Sequence, residues 1–189
     1  MHVFPVTTPR LRMRPLAVTD EALYMRLYTD EETMRFIGAP LSAERAAASF
    51  RSALAGMRRQ PVERMFLAVI ENASKAVVGI CSLQNCDPQL RRVQAGVMFI
   101  PDVRAQGYAK EAFVGLIQRV FEELPVDELR VEFAASHVAV QRGVISVGFA
   151  RCGEAGLEAG PRQHSVWAVR RDSWVVPCIP DDISDGMQA

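Results

Sequence analysis

The chain has 189 residues, enough to bury a core without disulfide or metal staples. Apolar residues make up 49% and charged residues 23%, which excludes disorder as the dominant state, since disordered chains are apolar-poor and charge-rich. Basic and acidic residues number 22 each, and a net charge of zero leaves no electrostatic footprint for nucleic acid or an anionic membrane.

The strict alternation of Arg10–Arg14 predicts a half-exposed strand stopped by Pro15. Asp20 is placed to cap a helix through about Tyr28, and a second short helix is expected from Asp30 to Ile37, ended by Gly38. Ser42 should cap an alanine-rich helix reaching about Arg59. The pattern then turns to strands. Met65–Ile70 is continuously apolar and suits a strand covered on both faces, residues 71–75 read as a turn, and Val77–Leu83 forms the next strand. Val93, Ala95, Val97 and Phe99 alternate with Gln94, Gly96 and Met98, completing an antiparallel meander. Apolar residues then recur with helical spacing from Gly107 to Leu124. Leu129, Val131 and Phe133 follow as a strand, so 93–133 reads as a β-α-β crossover.

Residues 138–147 pull two ways. Val140, Val144 and Val147 have helical spacing, yet the β-branched residues and Gly143 favour a strand on propensity. Gly148-Phe149 opens another strand, and Ser165–Arg170 gives the last. The segments give an α/β class with a mixed sheet: one domain over 1–174 and an acidic tail over 175–189, expected to be mobile beyond Pro180.

Cys81, Cys86, Cys152 and Cys178 have neither C-x-x-C nor zinc spacing, so no metal site is expected and the cysteines read as free thiols. The N-terminus lacks the apolar stretch of a signal peptide, and no apolar run approaches a membrane span. A cytoplasmic location follows from these readings.

The informative stretch is Phe99-Ile100-Pro101-Asp102-Val103-Arg104-Ala105-Gln106-Gly107-Tyr108-Ala109-Lys110-Glu111-Ala112. A strand ends, a loop holds a glycine, and a long helix begins. Backbone N–H groups and the positive end of the helix dipole converge there, which suits a phosphate or pyrophosphate. Gly107 and small Ala109 allow close approach, while Arg104 and Lys110 add charge. The alternative is a plain loop and helix start. Neither the G-x-x-x-x-G-K-[ST] loop nor G-x-G-x-x-G is present.

Arg104-x-x-Gly107-x-Ala109 resembles the acyl-CoA pyrophosphate loop of the GNAT superfamily of N-acyltransferases. Thr8–Leu16 followed by Asp20 resembles the opening of the branch containing the ribosomal-protein N-terminal alanine and serine acetyltransferases. Glu31–Gly38, Gly148-Phe149 and Arg171–Trp174 resemble further segments of that branch, in order.

The resemblance implies a splayed mixed β-sheet flanked by helices, and a helix over 138–147. It implies acetyl-CoA, or another acyl-CoA, as co-substrate. The pyrophosphate would lie on Arg104, Ala105, Gln106, Gly107, Tyr108, Ala109 and Lys110. The acyl arm would lie along Met98, Phe99 and Ile100, one of whose N–H groups polarises the thioester. His137 stands where the family has a pantetheine-binding asparagine, and it is the one side chain singled out as a catalytic candidate; the other reading is a cap or wall residue. Arg142 either faces the CoA phosphates or is a solvated helix residue.

The sequence departs from the family at three catalytic positions. Gln94 replaces a basic glutamate, and Val140 and Val144 replace a serine and a tyrosine able to protonate a thiolate. Glu132 and Asp87 are weighed as substrate-side carboxylates against solvated positions, Tyr108 reads as loop packing, and Glu111 as a first-turn residue favourable to the helix dipole. The expected reaction is direct acyl transfer to a primary amine, on a protein N-terminus, an amino acid or another small amine. Its rivals are a non-catalytic CoA-binding module and a succinyl-type acyltransferase. A homodimer is conceivable through the exposed sheet edges.

Overall fold

The computed structural model describes residues 2, 4–59, 62, 64–155 and 163–177. Eight strands form one sheet: β1 (Val6–Thr7), β2 (Leu11–Pro15), β3 (Met65–Glu71), β4 (Val77–Asp87), β5 (Arg92–Phe99), β6 (Glu128–Ala134), β7 (Ala150–Ala155) and β8 (His164–Arg170). Five helices accompany them: α1 (Glu21–Thr29), α2 (Glu31–Met34), α3 (Ala43–Met57), α4 (Tyr108–Glu123) and α5 (Val138–Ser146). The strand order is β1-β2-β3-β4-β5-β6-β8-β7, and every neighbouring pair is antiparallel except β5 and β6.

That parallel pair decides the shape of the site. β4 and β5 stay paired up to Gly79↔Phe99. β5 and β6 pair only over Arg92–Gln94 against Glu128–Arg130, although both strands run on. Beyond Gln94 and Arg130 the sheet opens as a wedge. α4 provides the crossover between them, packing Ala112, Phe113, Leu116, Ile117, Val120 and Phe121 into the core. α1 and α3 cover the opposite face over β3 and β4. β3 is buried from Met65 to Ile70, as its unbroken apolar run predicts.

The meander, the long helix and the β-α-β crossover stand as read from the sequence, and Ser42 caps α3 by accepting from the Arg45 N–H at 3.3 Å. Residues 138–146 are helical, as the resemblance implies and against propensity: Val144 and Val147 are buried, and their contacts with the core outweigh the poor propensity of β-branched residues. Two expectations are corrected. Asp20 caps no helix through its side chain; its carboxylate grips Arg14 at 2.7 and 2.8 Å and the Ala17 N–H at 2.8 Å. The second helix stops at Met34 rather than Ile37. β2 is half-exposed and ends at Pro15, as its alternation predicts. The tail expected to be mobile lies, beyond residue 177, outside the described residues, as does Cys178.

Candidate active site

The loop between β5 and α4 holds two residues in the left-handed region, Ala105 at φ 65° and Gly107 at φ 78°. A non-glycine residue there costs about 1–2 kcal/mol, so the turn at Ala105 is held against its own preference. The first α4 bond runs from the Glu111 N–H to the Gly107 carbonyl at 3.2 Å. The N–H groups of Tyr108, Ala109 and Lys110 therefore have no intrahelical acceptor and face out of the helix end.

Arg10, from the turn between β1 and β2, holds this loop in place. Its Nη1 donates to the Gln106 carbonyl at 3.0 Å, and its Nε donates to Glu111 Oε2 at 2.6 Å. Across a trans peptide the C=O and N–H point in opposite directions, so capture of the Gln106 carbonyl turns the Gly107 N–H away from Arg10. Glu111, whose side chain is wholly buried, also accepts from Thr8 Oγ1 at 2.6 Å and from the Arg10 N–H at 2.7 Å. Tyr108 packs beneath the guanidinium, 4.8 Å from ring centre to Cζ, and donates its hydroxyl to Glu71. That bond raises the phenol pKa above its ordinary value of 10.0, which fixes Tyr108 as a donor. Sequence reasoning saw in Glu111 only a dipole partner. Its ionic partner lies 101 residues away and no local pattern announces it.

The loop lines a cavity of about 650 Å³, walled by α2, the end of β5 and the start of α5. Met98, Phe99, Arg104, Ala105, Gly107, Tyr108, Ala109, Lys110 and His137 line it. Arg104 does so with its charge engaged: its guanidinium binds Glu32 Oε1 at 2.8 Å and Thr33 Oγ1 at 2.7 Å, tying the loop to α2. Lys110 forms no ion pair among the described residues. Three predicted residues stand apart. Ile100 is buried, with its N–H on Val78 O at 3.0 Å; Gln106 contributes its carbonyl to Arg10; Arg142 is exposed on α5 and is not among the residues that line the cavity, although Gly143 beside it is.

His137 stacks on Phe36 at 4.0 Å between centroids. Burial, and then the nearby charge of Arg104, lower its pKa below the ordinary 6.5, so the ring is neutral at pH 7. It sits at the α5 N-cap without a side-chain capping bond.

The β4–β5 ladder settles which strand N–H groups are free. The Ile100 N–H bonds β4, and antiparallel bonds alternate, so the Met98 N–H faces β4 too. The N–H groups of Val97 and Phe99 point the other way, into the opened wedge.

A second cavity, of about 560 Å³, lies between the α1–α3 pair and the sheet. It shares Met98 and Ile37 with the first, so the two meet at the end of β5. Its walls include Tyr24, Tyr28, Ser49, Ser82, Gln84, Gln94 and Glu132. Burial pushes the Tyr28 phenol pKa well upward, keeping it neutral. Gln94 accepts from Asn85 Nδ2 at 2.8 Å through its amide oxygen. Glu132 is the one carboxylate, among the described residues, that lines both this cavity and the small wedge between β5 and β6. It bonds His164 Nδ1 at 3.1 Å. The sequence leaves Glu132 between a substrate-side carboxylate and a solvated strand residue; the opening of the sheet beside it is what exposes it to a cleft. Asp87, weighed with it, lines a neighbouring cavity and sits 3.9 Å from Arg92.

The family model for the GNAT acetyltransferase domain matches residues 10–150. The chain belongs to the GNAT acetyltransferase family. Solved structures of this fold superpose along nearly the whole chain. A GNAT-family acetyltransferase from Bacillus anthracis is 16% identical, with a TM-score of 0.76, covering 90% of this chain and 100% of that one. A spermidine N-acetyltransferase from Vibrio cholerae, in complex with CoA and spermine, is 14% identical, with a TM-score of 0.76 and coverage of 87% and 98%. RimL, a ribosomal L7/L12 alpha-N-protein acetyltransferase in complex with coenzyme A, is 13% identical, with a TM-score of 0.75 and coverage of 91% and 99%. A comparison with curated protein sequences gives no match. Among the described residues of this GNAT protein, no cluster of His, Cys, Asp and Glu has the makings of a metal site, and no helix is long and apolar enough to cross a membrane.

Proposed function

We propose that the protein transfers the acetyl group of acetyl-CoA to a primary amine by direct attack in a ternary complex, with Glu132 as the general base. The observation that carries this reading is the meeting of two cavities at Met98 and Ile37. One has the anion-binding loop at its far end; the other has Glu132 in its wall. Residues 104–110 receive the pyrophosphate, chiefly through the Gly107, Tyr108 and Ala109 N–H groups, with Lys110 adding charge.

The amine nitrogen attacks the thioester carbonyl carbon while its proton passes to the Glu132 carboxylate. An α-amino group has a pKa near about 8, so a carboxylate held in a cleft suffices to draw the proton off as the bond forms. Negative charge gathers on the carbonyl oxygen, where the Phe99 or Val97 N–H stabilises it. The carbon–sulfur bond then breaks and the thiolate leaves. Its pKa near about 8.5 lets it depart without a strong acid, which removes the need for a proton donor at Val140 and Val144.

The test is thiol release from acetyl-CoA with a panel of amines and peptides. Glu132→Gln should lower kcat by about 10²-fold or more, the ordinary worth of a general base, with acetyl-CoA affinity within threefold of the parent. An unchanged kcat would remove Glu132 from this role. Micromolar acetyl-CoA binding with no thiol release on any amine would instead favour the non-catalytic CoA-binding module to which Gln94, Val140 and Val144 point.

A further inference from the structure

The two arginines that share the neighbouring cavity with Glu132 have other carboxylates. Arg130, two residues earlier on the same face of β6, is engaged by Glu128, and Arg92 on β5 lies 3.9 Å from Asp87. Among the described residues the Glu132 side chain has one polar partner, the ring of His164, with Oε1 3.1 Å from Nδ1.

The strand register accounts for this pair. β8 lies on the far side of β6 from β5, Glu132 is level with Val166, and His164 is level with Ala134. Residues two apart on a strand share a face, so His164 and Glu132 are diagonal neighbours on one face. Such neighbours stand roughly 7–8 Å apart, within reach of two long side chains. An ionised carboxylate only accepts hydrogen bonds, so Nδ1 carries the hydrogen in either charge state of the ring. Oε1 is therefore held on the β8 side. Oε2 has no partner among the described residues. No buried side-chain oxygen or nitrogen among them lacks one, so Oε2 is accessible from the cavities that Glu132 lines. One oxygen is anchored and the other is presented.

We propose that His164 is a positioning residue for the acetyl transfer: its Nδ1–H fixes Glu132 Oε1 and so aims Oε2 at the acceptor amine. The inference rests on the reading of Glu132 as the general base. Proton transfer needs the accepting oxygen within about 2.6–3.2 Å of the amine nitrogen, and a glutamate turning freely about its side-chain bonds meets that condition only part of the time. The fold does not depend on this bond, because β6 and β8 stay joined by the backbone ladder of Glu128–Ala134 against His164–Arg170.

The experiment is a double-mutant cycle in kcat, read by thiol release with the fastest amine or peptide of the panel at saturating acetyl-CoA. His164→Leu removes the donor and should lower kcat about tenfold or more, since a misplacement near 1 Å costs on the order of 10²-fold. The KM for acetyl-CoA should stay within about twofold of the parent, as the group acts on the transition state alone. His164→Asn should restore kcat to within about threefold, because its amide nitrogen stands as many bonds from Cβ as Nδ1 does. His164→Gln, with the donor one bond further out, should restore less. In the Glu132→Gln background no base is left to aim, so His164→Leu should cost less than about a further twofold. A loss that adds in full to that of Glu132→Gln, an Asn variant as slow as the Leu variant, or an unchanged kcat in His164→Leu would overturn the inference while leaving Glu132 in its role. Should His164→Leu fail to melt cooperatively, the Asn and Gln variants carry the test, and equal kcat in those two would overturn it. An unchanged kcat in Glu132→Gln, or no thiol release with any amine or peptide, would remove the reading on which the inference rests, and the inference with it.

Discussion

Replacing Arg10 with Met separates two things that this residue does. The methionine keeps an apolar stem over Tyr108 but removes both the partner of Glu111 and the hold on the Gln106 carbonyl. Glu111 would remain wholly buried, with only the Thr8 hydroxyl and the residue-10 N–H to satisfy it. Breaking a buried ion pair from one side costs about 3–5 kcal/mol. Arg10 is 35% exposed, so water reaches the site and the lower end, about 3 kcal/mol, is expected. Urea unfolding measures this loss. Calorimetry of acetyl-CoA should show a further defect of about tenfold, because the Gly107 N–H is no longer aimed at the anion. Acetyl-pantetheine, which lacks the pyrophosphate, should bind the variant as it binds the parent. The decisive control is Arg10→Met/Glu111→Met. Removing both charges should recover most of the stability, less about 1 kcal/mol for the N–H left without its acceptor. It should not recover acetyl-CoA affinity. A double variant that regains both, or a single variant that loses acetyl-pantetheine equally, would refute the positioning role.

Gly107→Val should weaken acetyl-CoA at least tenfold, since φ 78° is hostile to a β-branched residue and the new Cβ would stand 3.4 Å from Arg10 Nη2; Gly107→Asn, which tolerates that region better, should lose less by the same titration. Gly115→Ala should destabilise by about 1–3 kcal/mol in urea, although alanine is the better helix former, because its Cβ would lie 2.6 Å from Thr8 Cγ2 on the tightly packed face of α4. The lowered pKa of His137 makes the unfolded chain bind more protons than the folded one as pH falls through 6.5. Stability from this group is thus full above 6.5 and lost below it. Thermal melts between pH 7.5 and 5.5 should show a drop that shrinks in His137→Gln; an identical drop in that variant would contradict the assignment.

Periodicity alone makes much of this protein legible. The α4 stripe, the alternation of β5 and the unbroken run of β3 each follow from how one side chain in two or in 3.6 reaches a core. The loop at 104–110 is legible too, because a glycine ahead of a helix start is a local signal. What requires the tertiary structure is whatever joins residues distant in the chain. The Arg10–Glu111 clasp spans 101 residues, and the guanidinium of Arg104 is engaged by α2 rather than left for the ligand. The α5 segment is a helix because Val144 and Val147 gain more from burial than they lose to propensity. Glu132 gains a cleft only because β5 and β6 part after three pairs. The alternation along a strand decides which face a carboxylate is on; whether that face opens on solvent, helix or cavity depends on where its neighbours leave it.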